Sequence, residues 1–458
     1  MNSPIRRKIA KIALIGGGGV RTPLVIYGIN DAGQRLGADE LVLFDIDGER
    51  CRIMADLGKV LVAREGGSLR IRVAESLEDA VDGASFVLNS IRAGGIRARA
   101  HDERVAIEQG YPGQETTGPG GIAMALRTVP IAVQQARIVE RFSPDAWLIN
   151  FTNPAGLITQ AIQHHSSARV VGICDTPSEM MYRIRIALEA DDESCCCEYL
   201  GLNHLGWIRS IRLRGEDVTE QLLADDAFLS KIYAVPLFEH ELIRALKLLP
   251  TEYLFFYYSR RRALENQRRQ GSTRGTEIEQ LNDRLIADLS TLLKQGNGHG
   301  AIAAYANYLN VRSGSYMELE GNGGSALIPG EASNEDPFRA ASGYHRIAID
   351  VMSALCSDEP KRIVVNTRNL GAIDDMEPED IVEVPCRIGA DTITPERCGR
   401  LPESVRGLVL AVKAYERAAI DAALTGSTTT ARKAMLLHPA IGEWEPSKNL
   451  LEQLIVKC

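Results

Sequence analysis

The sequence has no run of the roughly 18–20 uninterrupted apolar residues that a helix needs to cross a bilayer. Its best candidate, residues 146–162, carries Asn150, Asn153 and Pro154, so no membrane segment is expected. An excess of basic charge is missing too. The 52 Lys and Arg stand against 60 Asp and Glu, a net charge of −8, which argues against a general nucleic-acid binder. Nothing resembles a disulfide framework: the cysteines number nine, an odd count in a chain of 458 residues. That points to a reduced, cytoplasmic setting. A secretory leader is not expected either. Arg6, Arg7 and Lys8 precede an apolar stretch, but Lys11 interrupts it and glycines stand where a cleavage site would be. The segment reads as a first strand. Internal repeats and low-complexity linkers are lacking as well.

What is present is balanced. Hydrophobic residues make up 45% and charged residues 24%, as in an ordinary globular chain. At roughly 100–200 residues per domain the length suggests two or three domains. Residues 11–15, 41–45, 70–73, 86–89, 147–151 and 170–173 are short runs rich in Val, Ile, Leu or Phe. Their apolar residues are mostly consecutive rather than alternate, which means burial on both faces, as in a parallel sheet. Helical patterns at 47–64, 122–141 and 177–188 lie between them. The expected fold is α/β, with an N-terminal Rossmann-like doubly wound parallel sheet. After about Glu198 the pattern changes. Strand-like runs at 199–202 and 208–213 give way mostly to helices, at 277–293, 337–354 and 405–423, with short strands at 363–365 and 381–384. This reads as a C-terminal mixed α+β, mostly helical domain. The division falls between 1–198 and 199–458, with the site where the two pack together.

The run from Ile12 to Val20 is an apolar strand followed by Gly16, Gly17, Gly18 and Gly19. Glycine lets a backbone approach a pyrophosphate, and the N-terminus of the helix that follows offers free N–H groups to its charge. The usual G-x-G-x-x-G pattern is matched at Gly16 and Gly18, but its last position is Arg21. The second strand ends in Asp45, where a carboxylate can bind ribose hydroxyls and favours NAD over NADP. The cofactor set is Gly16, Gly17, Gly18, Val20 and Asp45, joined by Arg92.

Several segments go beyond a generic dinucleotide fold. They are SIRAGG at 90–95, GQETTGPGG at 113–121, NFTNPAG at 150–156, CDTP at 174–177, GLNHLG at 201–206 and EYLFFYY at 252–258. VVNTRN at 364–369 and VRGLV at 405–409 extend the series. In this order and spacing the chain resembles glycoside hydrolase family 4, the glycosidases that use NAD and a divalent metal, usually manganese. The branch it most resembles is the 6-phospho-β-glucosidases. The resemblance implies an NAD-binding first domain and a second domain for substrate, metal and oligomerisation. It also implies a homodimer or homotetramer acting on a small glycoside or phospho-glycoside.

Cys174 follows the sixth strand at its carboxyl end, the edge where ligands bind in an open α/β sheet. A thiolate and an imidazole suit Mn²⁺, Fe²⁺, Co²⁺, Ni²⁺ or Zn²⁺, and by resemblance Cys174 and His204 hold the metal against the sugar hydroxyls at C2 and C3. In the family's mechanism NAD⁺ takes hydride from C3, and the ketone, polarised by the metal, acidifies the C2 proton. A base removes that proton, the C1 leaving group departs by elimination, water adds, and the hydride returns to C3. This differs from two-carboxylate glycoside hydrolysis. Tyr253 is the expected base, with Tyr257 and Tyr258 as alternatives. Asp175 departs from the β-acting branch, which usually has Asn there. It resembles the α-acting branch, where this residue is taken as the general acid, so anomer and substrate stay open. Asp175 also suits the cap of the helix that begins near Pro177. Arg92, Glu115, Asn150, Asn153 and Arg274 are the expected substrate contacts. The two asparagines would reach sugar hydroxyls or the nicotinamide ribose, and the two arginines a sugar phosphate.

Two other functions share the fold. A hydroxy-acid dehydrogenase would form NADH in proportion to substrate, and a non-catalytic NAD(H) sensor would bind without turnover. Cys195, Cys196 and Cys197 cannot all ligate one ion, because neighbours along a strand point to opposite faces. The basic run of Arg260, Arg261, Arg262, Arg268 and Arg269 reads as a solvated helix face or a subunit contact.

Overall fold

The computed structural model describes residues 9–233, 235–314, 338 and 343–454. Six short strands form a parallel sheet: β1 (Lys11–Ile15), β2 (Glu40–Phe44), β3 (Arg70–Val73), β4 (Phe86–Asn89), β5 (Trp147–Asn150) and β6 (Arg169–Gly172). Their order is β3-β2-β1-β4-β5-β6, all parallel. The apolar runs are the reason. Ile12, Ala13, Leu14, Leu41, Val42, Leu43, Val87, Leu88, Leu148 and Ile149 are all buried, and helices such as Gly48–Arg64 and Gly118–Phe142 lie between the strands in sequence. The chain leaves β1 in one direction toward β2 and returns on its other side at β4. The crevice at the carboxyl ends of β1 and β4 is therefore the topological switch point, where such sheets bind ligands.

The sheet continues past β6. The second half adds β7 (Cys195–Leu202), β8 (Leu205–Leu213), β9 (Glu216–Asp217), β10 (Leu249–Pro250), β11 (Lys361–Arg368), β12 (Ile381–Gly389) and β13 (Thr392–Pro395). They run on from β6 as β11-β12-β7-β8-β10, antiparallel throughout, with β9 on β8 and β13 on β12. One sheet thus spans both halves, and residue 198 lies inside β7. The strands here are longer than the sequence pattern suggests. Some of their extra residues, such as Cys196, Lys361, Arg362 and Arg387, are exposed, although others, such as Leu205, Trp207, Cys386 and Ile388, are buried. A one-sided antiparallel strand mixes polar and apolar residues, so its ends are harder to read than a doubly buried run.

The large helices of the second half are Arg274–Lys294, Gly298–Gly314, Tyr344–Leu355 and Glu403–Thr425. The helix expected at 337–354 is seen from Tyr344. Of its expected start, residues 337 and 339–342 lie outside the described residues. No helix among the described residues is long and apolar enough to cross a membrane. Cys195 and Cys197 are buried and Cys196 is exposed, as strand alternation requires. Arg260, Arg261, Arg268 and Arg269 of the basic run are exposed, as a solvated helix face requires. Three of the run also bond to backbone: Arg260 donates to the Pro439 carbonyl, Arg262 to that of Leu237, and Arg268 to that of Ile107.

Candidate active site

The glycine loop at the end of β1 is wound tightly. Gly16 has φ +89°, and a Cβ there would lie 2.2 Å from the Ser90 carbonyl oxygen, so only glycine fits. The backbone N–H groups of Gly16 and Gly17 both donate to the Phe44 carbonyl, at 2.9 Å. Asp45 accepts from the Gly18 N–H at 2.8 Å and from the Asp47 N–H at 2.9 Å. Its carboxylate therefore braces the loop, a role the sequence does not disclose. Val20 is buried, and its carbonyl accepts from the Tyr305 hydroxyl at 2.7 Å. Arg21 is the N-cap residue of the helix Thr22–Asp31, and its guanidinium stands 3.9 Å from the Asp175 carboxylate. The glycine loop is thereby joined to the end of β6.

Cys174 lies just beyond β6 and is buried, its thiol 3.4 Å from the Thr176 hydroxyl. Burial pushes the thiol pKa well up, and the charges of Glu383 and Asp175 add to this. A bound dication would reverse that balance, because coordination deprotonates a thiol. Asp175 occupies the N-cap position of the helix Thr176–Ala187 but makes no side-chain capping bond. The capping role expected for its carboxylate is absent. What caps here is the backbone: the Asp175 carbonyl accepts from the Glu179 N–H at 2.9 Å.

His204 is carried on the tight connection between β7 and β8, at φ +60°. It is buried and stacks on Tyr253, with ring centroids 3.5 Å apart and planes 5° from parallel. Its Nδ1 lies 2.8 Å from the Thr116 hydroxyl, while its Nε2 is buried and has no hydrogen-bond partner. Burial pushes its pKa down to about 3, against the opposing charge of Glu115. The ring is therefore neutral, and with its proton on Nδ1 it would present Nε2 to a metal. Among the described residues no three His, Cys, Asp or Glu side chains converge as a metal-binding set. Cys174 and His204 would thus leave most of the coordination shell to substrate oxygens and water, as in a catalytic rather than a structural site.

The three tyrosines are separated by the structure. Tyr253 faces His204 and lies within electrostatic reach of Arg99. The Tyr257 ring stacks on His438 instead, at 5.8 Å. Tyr258 is turned toward Trp207, and its hydroxyl is buried with no acceptor.

Arg92 and Glu115 form an ion pair with each other, and Glu115 is also 3.1 Å from Arg99. Burial works to raise the Glu115 pKa, but the two guanidiniums overcome it and hold the carboxyl well below the usual range. The Arg92 guanidinium, expected on a phosphate, is thus largely neutralised inside the protein. Asn150 also departs from expectation. It is fully buried, and its amide nitrogen donates to the carbonyls of Thr152 and Ala155 and to the Thr159 hydroxyl, while its oxygen accepts from the Thr152 N–H. It builds the loop after β5 rather than reaching a sugar. The Asn153 side-chain oxygen, by contrast, is buried without a partner. Arg274 donates to the Arg312 carbonyl at 2.7 Å. The Arg312 pKa is lowered to about 10, mainly by burial, with the Arg21 and Arg274 charges contributing. Arg21 and Arg274 are thus within electrostatic reach of Arg312, and Arg274 also lies 3.8 Å from the Glu277 carboxylate.

Glu383 on β12 has no counterpart in the sequence reading. Its carboxylate accepts from the Tyr199 hydroxyl at 2.6 Å, from Asn366 at 2.9 Å and from Asn203 at 3.3 Å. Burial pushes its pKa up to about 7, with the Asp175 charge assisting against those hydrogen bonds. It links the two ends of the site, because Asn203 precedes His204 and the Glu383 charge acts on Cys174. Only burial and long-range pairing reveal it, and neither is a sequence signal.

Residues 11–190 match the model of the family 4 glycosyl hydrolases, and residues 199–441 match that of their C-terminal domain. The chain belongs to glycosyl hydrolase family 4 and is a glycosidase. It is similar to a probable 6-phospho-beta-glucosidase of Bacillus subtilis, 32% identical across 97% of this chain and 95% of that one. Among solved structures, the 6-phospho-beta glucosidase of Thermotoga maritima with NAD and glucose-6-phosphate superposes with a TM-score of 0.81. It is 29% identical and covers 98% of both chains. The same enzyme with manganese, NAD⁺ and glucose-6-phosphate gives 0.79 at 28% identity, covering 97% of each chain.

Proposed function

We propose that the chain hydrolyses 6-phospho-β-glucosides with bound NAD and a divalent metal, Mn²⁺ first. The observation that supports this reading is the buried His204 ring with its unpartnered Nε2, stacked on Tyr253, which suits a metal ligand beside a base. When bound, NAD would take and return the C3 hydride, and the metal on Cys174 and His204 would polarise the C3 carbonyl. Tyr253, stacked on His204, would serve as the base for the C2 proton. Asn153 offers a buried acceptor to a sugar hydroxyl. Arg274, which like Arg21 is within electrostatic reach of Arg312, is a second candidate seat for the 6-phosphate beside Arg92; each has a carboxylate neighbour, Glu277 for Arg274 and Glu115 for Arg92. Closely set guanidiniums repel one another, and a phosphate dianion relieves that repulsion. Residues 1–198 would carry the nucleotide and 199–458 most of the metal and sugar contacts, in a cytoplasmic homodimer or homotetramer.

The test is turnover in D₂O. Deuterium is expected at C2 of the released sugar, without NADH accumulating, because the hydride returns within each cycle. A product with its C2 hydrogen fully retained would overturn the reading. NADH forming in proportion to substrate would favour the dehydrogenase alternative instead.

Asp175 stands at the helix start with a carboxylate that does not cap the helix and lies 3.9 Å from the Arg21 guanidinium; its proposed role is to protonate the leaving group. Asp175→Asn is expected to slow alkyl 6-phosphoglucosides by about 10²–10⁴-fold, the usual worth of a general acid. Nitrophenyl substrates, which leave without protonation, should change little. Equal losses on both would assign Asp175 to positioning.

A further inference from the structure

A neutral imidazole carries one N–H, and the nitrogen that holds it cannot also bind a metal. In this site the choice is made outside the ring. The Gln114 side-chain oxygen accepts the backbone N–H groups of Thr116 and Thr117, at 2.5 and 2.9 Å. Two donors on one atom identify it as the carbonyl oxygen of the amide. The Thr116 hydroxyl lies 2.8 Å from the same oxygen, and it donates its single proton there. Its own oxygen is then left to accept, and its neighbour at 2.8 Å is His204 Nδ1. The ring proton therefore sits on Nδ1, and Nε2 keeps a bare lone pair, buried and without a partner.

We propose that Thr116 is a positioning residue of the metal site: with Gln114 it holds His204 as the Nδ1–H tautomer and keeps Nε2 ready for a divalent cation. This role rests on the metal reading above. The loop is built to hold it. Gln114, Thr116 and His204 are all buried. A Cβ on Gly120 would lie 2.2 Å from the Gln114 carbonyl oxygen, and one on Gly121 would lie 2.6 Å from that of Thr116. The backbone thus folds back on itself closely enough that only glycine fits at 120 and 121. The Gly118 N–H is anchored on His438 at 3.1 Å, which ties the loop to the far end of the chain. Of this motif only Glu115 stands out in the sequence, because a hydroxyl that orients a ligand looks no different from one that caps a helix.

The direct test is Thr116→Val, which keeps the shape and removes the hydroxyl. Mn²⁺ affinity, read from the EPR signal of free Mn²⁺ with NAD⁺ present, is expected to fall about 10–100-fold, the usual cost of losing such an outer partner. The Mn²⁺ concentration for half-maximal turnover should rise more than kcat falls, NAD⁺ affinity should hold, and Thr116→Ser should restore the metal affinity. A second measurement needs no Thr116 variant. In metal-free wild-type protein the ¹⁵N shifts of the His204 ring, identified by their loss in His204→Asn, should show the Nδ1–H tautomer. Wild-type protein that takes up no Mn²⁺ overturns the metal assignment and this role with it. Wild-type protein that binds Mn²⁺ but shows an Nε2–H ring, or a Thr116→Val variant with undiminished affinity, overturns the role of Thr116 alone.

Discussion

Treating the protein with a chelator, or replacing Cys174 with Ser, is expected to lower turnover by about a thousandfold or more, since a Lewis-acid metal is worth several kcal/mol of transition-state stabilisation. The loss should fall on chemistry and not on folding. A serine hydroxyl at 174 can keep the contact with Thr176, but it does not ionise to replace a thiolate ligand. At position 204 the backbone has φ +60°, a conformation that Asn tolerates better than Ala. His204→Asn therefore removes the ligand with less strain than His204→Ala, and both should be inactive. Near-UV circular dichroism and NAD⁺ binding should stay close to wild type. Added Mn²⁺ should restore the chelated wild-type protein and neither ligand variant. Full activity of the EDTA-treated protein without added metal would remove the metal from the proposed mechanism.

The parallel half of the sheet was legible because its signal is local. β1, β3 and β4 fall where the apolar runs place them, and β2, β5 and β6 within one residue. β7, β11 and β12 were only partly visible, since their outer faces carry residues such as Cys196, Arg362 and Arg387. The site divides along the same line. Cys174, His204 and Tyr253 were found through motifs, and the structure supplies a geometry in which His204 and Tyr253 touch. Motifs do not say where a side chain points. Asn150 sits in the same NFTNPAG segment as Asn153, yet it is bonded on every side within its own loop, whereas the Asn153 oxygen has no partner. Arg92 and Glu115 read as two separate contacts and are one ion pair. Glu383 and Thr116 act through pairings across 180 and 88 residues of chain respectively, Glu383 with Asn203 and Thr116 with His204. A pairing of that range leaves no periodic or spacing signal.

Tyr253→Phe is the substitution that reaches the proton step alone. It removes one oxygen and keeps the ring that stacks on His204, so the metal ligand should stay in place. A general base contributes about 10²–10⁴-fold, and kcat should drop by that order. The C2 hydrogen should report the same step, with deuterium uptake from D₂O lost in proportion to turnover. An unperturbed phenol has a pKa near 10, so it needs a cation nearby to serve as a base in neutral solution. Arg99 lies within electrostatic reach, although Glu103 and Glu115 share its charge. A dication on the adjacent His204 would add a second positive charge, only partly offset by the Cys174 thiolate, so metal and base should act as a unit. Combining Tyr253→Phe with Cys174→Ser should then cost much less than the product of the two single losses. Tyr257→Phe and Tyr258→Phe serve as controls. The ring of Tyr257 packs on His438 and the hydroxyl of Tyr258 is buried toward Trp207, so both should turn over near the wild-type rate. If Tyr257→Phe or Tyr258→Phe stops C2 exchange while Tyr253→Phe retains it, the base is not Tyr253 and the stacked pair serves only to hold His204.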